Sequence, residues 1–215
     1  MTDLFNEKAK DWDANEMRTI LSSAIGSAIL EDVSLHDQMR VMDFGAGTGL
    51  ITSQVAPLVK KIVAVDISEA MLNKLVSKPE LQGKVEIVCQ DIIHKPIAEK
   101  FDLIMSAMAM HHVKDTSKLI QRFSEHLSHG ALIAIADLDN EDGSFHPKDT
   151  EGVFHFGFER NPLQIILEKH GFREIKFITA HTINKARKEI SHISSNSYKK
   201  LIYPHYYFCK SYKNK

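Results

Sequence analysis

Residues 41–50 read VMDFGAGTGL, and this stretch decides the fold. Apolar residues lead to a single acid, Asp43, and glycine then occupies every second position, at Gly45, Gly47 and Gly49. Glycine loses more conformational entropy on folding than any other residue. A glycine cluster directly after a buried strand therefore indicates that a ligand or another chain segment approaches the backbone closely.

Apolar runs alternate with helical patterns on both sides of this stretch. Strands are predicted at 40–44, 61–67, 84–89, 101–107 and 131–138. Helices are predicted over 17–29, 48–57, 68–77 and 115–128, where apolar residues recur every three or four positions. Ser68 and Asp115 are the expected N-caps of the last two helices. Strands that are apolar on both faces and separated by helices are typical of an α/β fold with a parallel sheet covered on both sides.

The pattern changes after residue 138. Residues 139–162 form a polar, turn-rich loop that contains several histidines and phenylalanines. A helix is predicted over 163–170 and ends at Gly171. A strand at 174–183, a polar helical insert at 184–198 and a strand at 206–212 follow. No linker-like segment separates two cores, so we predict one domain over 1–215, with a substrate-side loop insertion at 139–162.

The composition limits the classes of partner. The chain has 215 residues and a formal net charge of -1, which gives no electrostatic reason to expect a nucleic acid or a membrane surface as partner. The N-terminal segment lacks the apolar centre of a signal peptide. We therefore expect a cytoplasmic protein, either a monomer or a homodimer. Cys89 and Cys209 stand in apolar runs and are expected to be buried free thiols.

Two classes of ligand compete for the glycine turn. A dinucleotide site requires the pattern G-x-G-x-x-G/A, whose third small residue allows close packing of helix on strand. Leu50 stands at that third position, so the dinucleotide pattern fails. The stretch VMDFGAGTGL instead closely resembles the first motif of the class I S-adenosylmethionine (SAM)-dependent methyltransferases, of the small UbiE-like type.

The resemblance extends over most of the chain. KIVAVDIS (61–68), VCQDII (88–93) and FDLIMSAMAMHHV (101–113) resemble the second, third and fourth motifs of the family, in the same order. FNEKAKDWD (5–13) resembles the N-terminal lid. The resemblance implies a Rossmann-like three-layer sandwich with a seven-stranded, mostly parallel sheet whose last strand is antiparallel. It also implies SAM as cofactor and a helical lid over 1–35.

The resemblance assigns roles to individual residues. It implies that Asp66 binds the ribose, that Asp91 takes the adenine amino group, and that Phe5 and Trp12 close over the cofactor. A carboxylate can accept charge-assisted hydrogen bonds from both ribose hydroxyls. The complete expected cofactor site comprises Trp12, Asp43, Gly45, Ala46, Gly47, Gly49, Asp66, Ile67, Met71, Asp91, Ile92, Ser106 and His111.

Departures from the family pattern narrow the substrate class. Residues 106–109 read SAMA, where methyltransferases that act on exocyclic base amines carry Asn/Asp-Pro-Pro-aromatic. This difference argues against a nucleic-acid substrate and favours a small-molecule methyl acceptor. Two alternatives remain, a catalytically silent SAM-binding protein and an NAD-dependent oxidoreductase, and Leu50 argues against the second.

Four residues are candidates for catalysis. His111 follows the fourth predicted strand and Asp137 ends the fifth, where the acceptor would lie. His146 and His155 stand in the long loop. Methyl transfer depends mainly on alignment of the reactants, so a base is needed only when the acceptor atom carries a proton.

The loop also raises the question of a metal. Asp137, Asp139, Glu141 and Asp142 offer the oxygen ligands that hard cations prefer. The EF-hand pattern fails, because its sixth position is Asp142 instead of glycine and its twelfth is Lys148 instead of glutamate. We predict no metal, with magnesium as the alternative.

The aromatic residues of the same loop suggest a pocket. We expect Phe154, Phe156 and Phe158, with His155, to form either an apolar wall of a small-molecule pocket or a satellite core.

Overall fold

Seven strands form one sheet in the computed structural model, which describes residues 5–140, 150–182 and 205–213. The strands are β1 (Arg40–Phe44), β2 (Lys61–Asp66), β3 (Val85–Cys89), β4 (Phe101–Ala107), β5 (Leu127–Leu138), β6 (Phe172–Thr182) and β7 (His205–Lys213). The α-helices of the described ranges are α1 (Glu16–Asp32), α2 (Thr52–Val55), α3 (Glu69–Val76), α4 (Thr116–His126) and α5 (Arg160–Lys169). Short 3₁₀ turns lie at Glu7–Ala9, Ala56–Leu58, Pro79–Leu81 and Met110–His112.

The strand order is β3-β2-β1-β4-β5-β7-β6. Strands β1 to β5 pair in parallel, whereas β7 runs antiparallel to both β5 and β6. This topology confirms the predicted mostly parallel sheet with an antiparallel last strand. The chain order reverses at β1, which lies between β2 and β4. In open α/β sheets, ligands bind at the carboxyl ends of the strands near such a reversal.

Two hydrophobic cores lie on opposite faces of the sheet and give the three layers. Alternate residues of the central strands enter opposite cores, as Val41 and Met42 of β1 do. The first core also contains Ile25 and Ile29 of α1 and Leu72 of α3. The second core contains residues of α4 and α5, including Leu119, Phe123, Leu163 and Leu167.

The predicted helix starts hold where a side chain caps the helix. The Ser68 hydroxyl accepts the Met71 N–H at the start of α3, and the Asp115 carboxylate accepts the Lys118 N–H at the start of α4. Gly171 follows α5 with a φ of 88°, a conformation that favours glycine. None of the helices in the described ranges is long and apolar enough to cross a membrane.

Several local expectations need correction. The helix predicted over 48–57 is the short α2 followed by a 3₁₀ turn, and α5 begins at Arg160 instead of 163, which shortens the loop predicted at 139–162. Helix α4 ends at His126 instead of 128, and β5 begins at Leu127 instead of 131, because Leu127 is buried and pairs with Phe101 of β4. Cys89 is exposed, since β3 is an edge strand. The side chain of Cys209 and the predicted helical insert at 184–198 lie outside the described residues.

Helix α5 provides a matched test of the second core. Leu167 is fully buried, whereas Ile165 on the same helix is 66% exposed. We expect Leu167→Ala to lower the free energy of unfolding by about 2–5 kcal/mol through loss of packing. Ile165→Ala should change it by less than about 0.5 kcal/mol. Urea denaturation measures both values, and equal losses would contradict the assignment of these faces.

Candidate functional site

The three glycines after β1 serve different purposes. All three have positive φ, at 68° for Gly45, 54° for Gly47 and 81° for Gly49. A Cβ on Gly45 would lie 2.2 Å from the Ala109 Cβ, and one on Gly49 would lie 2.8 Å from the Leu75 side chain. A Cβ on Gly47 would meet no atom within 4 Å. Two glycines therefore allow close packing, whereas the middle one borders open space.

The Asp66 carboxylate lies beside that open space. One of its oxygens accepts the Gly47 N–H at 2.9 Å, and the other accepts the Ser68 N–H at 2.9 Å. The side chain therefore joins the glycine turn to the start of α3 from the end of β2.

Asp43 lies near the end of β1, two residues before Gly45. Its side chain is 2% exposed and accepts the Thr52 hydroxyl at 2.5 Å. Burial raises the pKa of Asp43 to about 7, the Thr52 bond opposes this shift, and the nearby Asp66 charge adds to it. Asp43 therefore titrates near neutral pH inside the protein.

The chain turns sharply after β4. Met108 has a φ of 55°, which is unusual for a residue other than glycine, and its N–H donates to the Ala136 carbonyl. This turn brings Ala109 against Gly45. The Ser106 hydroxyl at the end of β4 is buried and has no hydrogen-bond partner within the described residues.

His111 and Asp137 meet in the interior. The His111 Nδ1–H donates to the Asp137 carboxylate at 2.7 Å, and the two side chains are 2% and 0% exposed. The carboxylate also accepts the N–H groups of Met110 and Leu138. The structure thus brings together two of the four predicted catalytic residues.

Residues 150–158, here called the strap, cross the turn that carries His111. The His112 ring donates to the Gly152 carbonyl at 2.7 Å, and the Phe154 N–H donates to the His111 carbonyl at 3.0 Å. The His155 Nε2–H donates to the Val113 carbonyl at 3.0 Å. His155 therefore holds the strap on the turn, a geometry that favours a structural role for its ring.

The three phenylalanines of the strap do not form one wall. Phe154 and Phe156 are 51% and 52% exposed, whereas Phe158 is buried in the second core. Positions 154 and 156 share one side of the extended segment, opposite His155. Two of the three rings are thus left at the surface, beside the turn with His111.

The N-terminal segment, which the resemblance predicts to be a lid, packs on the glycine turn. The Thr48 hydroxyl donates to the Asp13 carboxylate, and Lys78 forms an ion pair with the same carboxylate at 3.0 Å. The Phe5 ring contacts Trp12 and His112 edge-on, with centroids 5.9 and 5.3 Å apart. The part of the lid that the structure describes, residues 5–35, therefore contacts the glycine turn at one end and the His112 turn at the other.

Other residues predicted to bind a cofactor lie around the same edge of the sheet. Met71 and Ile92 are fully buried, whereas Ile67 is 65% exposed. Asp91 accepts the Ile93 N–H and a hydrogen bond from the His94 ring. Ala46 is partly buried, and the Arg18 guanidinium lies 3.8 Å from the centroid of the Trp12 ring.

The expected metal ligands are only partly described. The Asp139 carboxylate forms an ion pair with Arg160, with a shortest distance of 2.6 Å. Within the described ranges, no group of three or more His, Cys, Asp or Glu side chains is placed to hold a metal ion. Glu141, Asp142 and His146 lie outside the described residues.

Known proteins share both the sequence pattern and the fold. Residues 42–135 match the family model described as a methyltransferase domain. This match identifies a methyltransferase domain over residues 42–135 of the chain. An uncharacterized methyltransferase of Schizosaccharomyces pombe is 28% identical over 168 residues, which cover 71% of this chain and 58% of the relative. One of Bacillus thuringiensis is 29% identical over 140 residues, 63% of this chain and 65% of the relative. The aligned methyltransferase region therefore spans less than two thirds of either relative.

Solved structures agree with the methyltransferase fold. The N-methyltransferase NodS of Bradyrhizobium japonicum, in complex with S-adenosyl-L-homocysteine (SAH), superposes with a TM-score of 0.68 at 13% identity, covering 99% of this chain and 100% of NodS. Phosphoethanolamine N-methyltransferase 2 of Haemonchus contortus, in complex with SAM, gives 0.67 at 18% identity, covering 98% of this chain and 60% of that enzyme. At these identities the likeness concerns the fold.

The sequence did not indicate several contacts of the candidate site. No sequence pattern indicates the hydrogen bonds between Thr48 and Asp13 and between Thr52 and Asp43. The sequence does not show which side chains meet across turns. The sequence marks His112 only as the neighbour of His111, yet it contacts both the lid and the strap. Alternation along the turn is the one hint that the two rings differ.

The raised pKa of Asp43 predicts how the stability of the protein depends on pH. Its folded pKa of about 7 lies above the ordinary value of 3.8, so its contribution to stability is fully present below about pH 3.8 and is lost as the pH rises through 7. Asp43→Asn removes this loss. On going from pH 5 to pH 8, we expect the free energy of unfolding of the variant to increase by about 2–3 kcal/mol relative to that of the unmodified protein.

Urea denaturation at both pH values measures this gain. The exposed Asp37 provides the control, because Asp37→Asn should follow the unmodified protein at both pH values. If the free energies of unfolding of Asp43→Asn and the unmodified protein differed by the same amount at both pH values, the raised pKa of Asp43 would be contradicted.

Proposed function

We propose that this protein binds SAM across the carboxyl ends of β1 and β2 and transfers its methyl group to a small-molecule acceptor. The observation that carries the proposal is the open space at Gly47 beside the Asp66 carboxylate. A backbone without a side chain at this point, next to a carboxylate, fits a ligand with a polar chain and a sugar.

The residues around this open space agree with the chemistry of SAM. The glycine turn would hold the amino-acid end of SAM, Asp66 the ribose hydroxyls, and Asp91 and Ile67 the adenine side. When bound, SAM supplies a methyl group on a positively charged sulfur. The NodS and phosphoethanolamine enzymes, which share the fold, were solved with SAH and SAM, and this supports the same donor here.

The lid would keep water away from the bound donor. Asp13 holds it on the glycine turn, and the Phe5 and Trp12 rings lie on the side of His112. Excluding water strengthens electrostatic interactions inside the site and limits side reactions. Holding the reactants in line supplies much of the acceleration expected for a reaction of this kind.

The acceptor would bind on the strap side of His111. Phe154 and Phe156 place two half-exposed rings there, which suit the apolar part of a small molecule. The net charge of -1 offers no electrostatic attraction for a nucleic acid.

Gly47 and Gly83 give a matched test of donor binding. Both residues have positive φ and open space around the missing Cβ. Gly47 follows the carboxyl end of β1, whereas Gly83 lies in the turn before the amino end of β3. We expect Gly47→Ala to weaken SAH binding at least tenfold, because the added methyl group enters the space left for the ligand. Gly83→Ala carries the same backbone strain and should bind SAH like the unmodified protein.

Isothermal titration calorimetry with SAH measures all three affinities. A folded protein without affinity for SAH, or equal affinities for both variants, would contradict the proposed site. Release of SAH in a screen of small-molecule acceptors then tests the transfer itself. Tight SAM binding without turnover of any acceptor would favour a catalytically silent SAM-binding protein.

A further inference from the structure

Arg18 stands in the first turn of α1, in a row of residues that is otherwise apolar. Residues three or four positions apart share one side of a helix. Leu21, Ile25 and Ile29 continue the row from Arg18 and are buried in the first core. Arg18 itself is partly buried. A charged side chain thus occupies the position at which the apolar row of α1 begins.

The start of α1 is fixed relative to the glycine turn. The Gln54 amide of α2 donates to the Ser22 carbonyl at 3.1 Å and to the Leu50 carbonyl at 2.9 Å. Ser22 lies one helical turn after Arg18. On the other side of Arg18, the Asp13 carboxylate holds the preceding segment on the glycine turn. The position of Arg18 is therefore set relative to the proposed donor site.

The Arg18 guanidinium lies over the Trp12 ring. Its central carbon is 3.8 Å from the ring centroid. The attraction between a cation and an aromatic face uses the charge of the guanidinium but none of its N–H groups. Contact with the ring also restricts the long side chain, so less conformational freedom is lost when its N–H groups bind a ligand.

The other arginines of the described ranges donate to an oxygen of the protein: Arg40 to Glu99, Arg122 to Glu125, Arg160 to Asp139, and Arg173 to the Glu168 carbonyl. Within residues 5–140, 150–182 and 205–213, no oxygen accepts a hydrogen bond from the Arg18 guanidinium. Burial lowers the pKa of Arg18. A bound anion would offset the cost of holding this charge partly out of water.

Aromatic contacts join Arg18 to the strap. The Trp12 ring contacts Phe5, and the Phe5 ring contacts His112. The His112 ring in turn donates to a carbonyl of the strap. The neighbouring Asp13 side chain takes the other direction, to the glycine turn. Because the acceptor is proposed to bind beside the strap, the row of rings places the Arg18 cation on the acceptor side.

We propose that Arg18 binds an anionic group of the methyl acceptor, a carboxylate or a phosphate, and so selects acidic small molecules. This inference rests on the proposed function and deepens it by naming the substrate class. A planar guanidinium matches either oxyanion with two parallel N–H···O bonds. The half-exposed rings of Phe154 and Phe156 then contact the apolar part of the same molecule.

Trp12 is the only tryptophan of the chain, so its fluorescence reports on the Arg18 guanidinium without any turnover. The probes are benzoate and phenyl phosphate, with benzamide as the uncharged counterpart. We expect both anions to change the fluorescence of the full chain in a saturable way. Benzamide should bind at least tenfold more weakly, and Arg18→Gln should weaken binding of the anions at least tenfold.

Lys8→Gln is the matched control. Lys8 also lies over a ring of the N-terminal segment, 5.3 Å from the Phe5 centroid, but is exposed. This variant loses the same charge as Arg18→Gln and should bind the anions like the unmodified protein. Anions that bind no more tightly than benzamide, or that lose affinity equally in both variants, would overturn the inference.

Turnover tests whether the anion belongs to the acceptor. The substrates are small phenols, amines and thiols that carry a carboxylate or a phosphate ester, each compared with its uncharged amide or alcohol. We expect Arg18→Gln to lower kcat/KM about 10–100-fold for the charged compounds, mainly through KM, and to change it less than about twofold for the uncharged ones. Arg18→Lys should recover part of the loss, because it keeps the charge without the planar fork.

The outcomes distinguish this inference from the proposed function. Equal kcat/KM values for the charged and uncharged members of each pair would overturn the inference and leave methyl transfer intact. If Arg18→Gln lost SAH affinity at least tenfold but kept the preference for charged acceptors, Arg18 would hold the donor, and the inference alone would be overturned. A lack of SAH affinity in the unmodified protein would overturn the proposed function, whereas the fluorescence titration would still decide whether Arg18 binds an anion.

Discussion

Two hydrogen bonds to the Asp66 carboxylate fix the backbone around the candidate site. This side chain at the end of β2 holds the Gly47 N–H with one oxygen and the Ser68 N–H with the other. The glycine turn and the start of α3 are thereby fixed relative to each other. Because Gly49 packs on Leu75 of α3 and Gly45 packs on Ala109, three segments converge around one opening. The opening persists because Gly47 has no side chain to fill it.

Three carboxylates at this edge of the sheet have distinct environments. Asp66 is only partly buried and is held by backbone N–H groups. Asp43 is buried with a threonine hydroxyl, which leaves its charged form unfavourable and its pKa near 7. Asp137 is buried with three backbone donors and an imidazole. The three acids therefore differ both in their exposure and in the groups that donate hydrogen bonds to them.

The sequence predicted the sheet and the helix starts well because these depend on local patterns. Apolar runs located β1 to β4, and single side chains located the caps at Ser68 and Asp115. The order of motifs also placed the glycine turn and Asp66 together. These features follow from periodicity and from residues close in the chain.

Features that depend on distant contacts were not predictable. Phe154, Phe156 and Phe158 look equivalent in sequence, yet only Phe158 reaches the second core. The exposure of Cys89 follows from the position of β3 at the edge, which the sequence does not reveal. The bond between Thr48 and Asp13 joins residues 35 positions apart, and pairing of side chains over such a distance requires the folded chain.

The proposed methyl donor lies on the bare backbone of the glycine turn, with its sugar on Asp66. A crystal structure of the protein with SAH tests this placement most directly. We predict both ribose hydroxyls within hydrogen-bond distance of the Asp66 carboxylate and the amino-acid end of SAH against Gly47. Electron density for SAH away from residues 45–49, or a ribose without contact to Asp66, would contradict the proposed site.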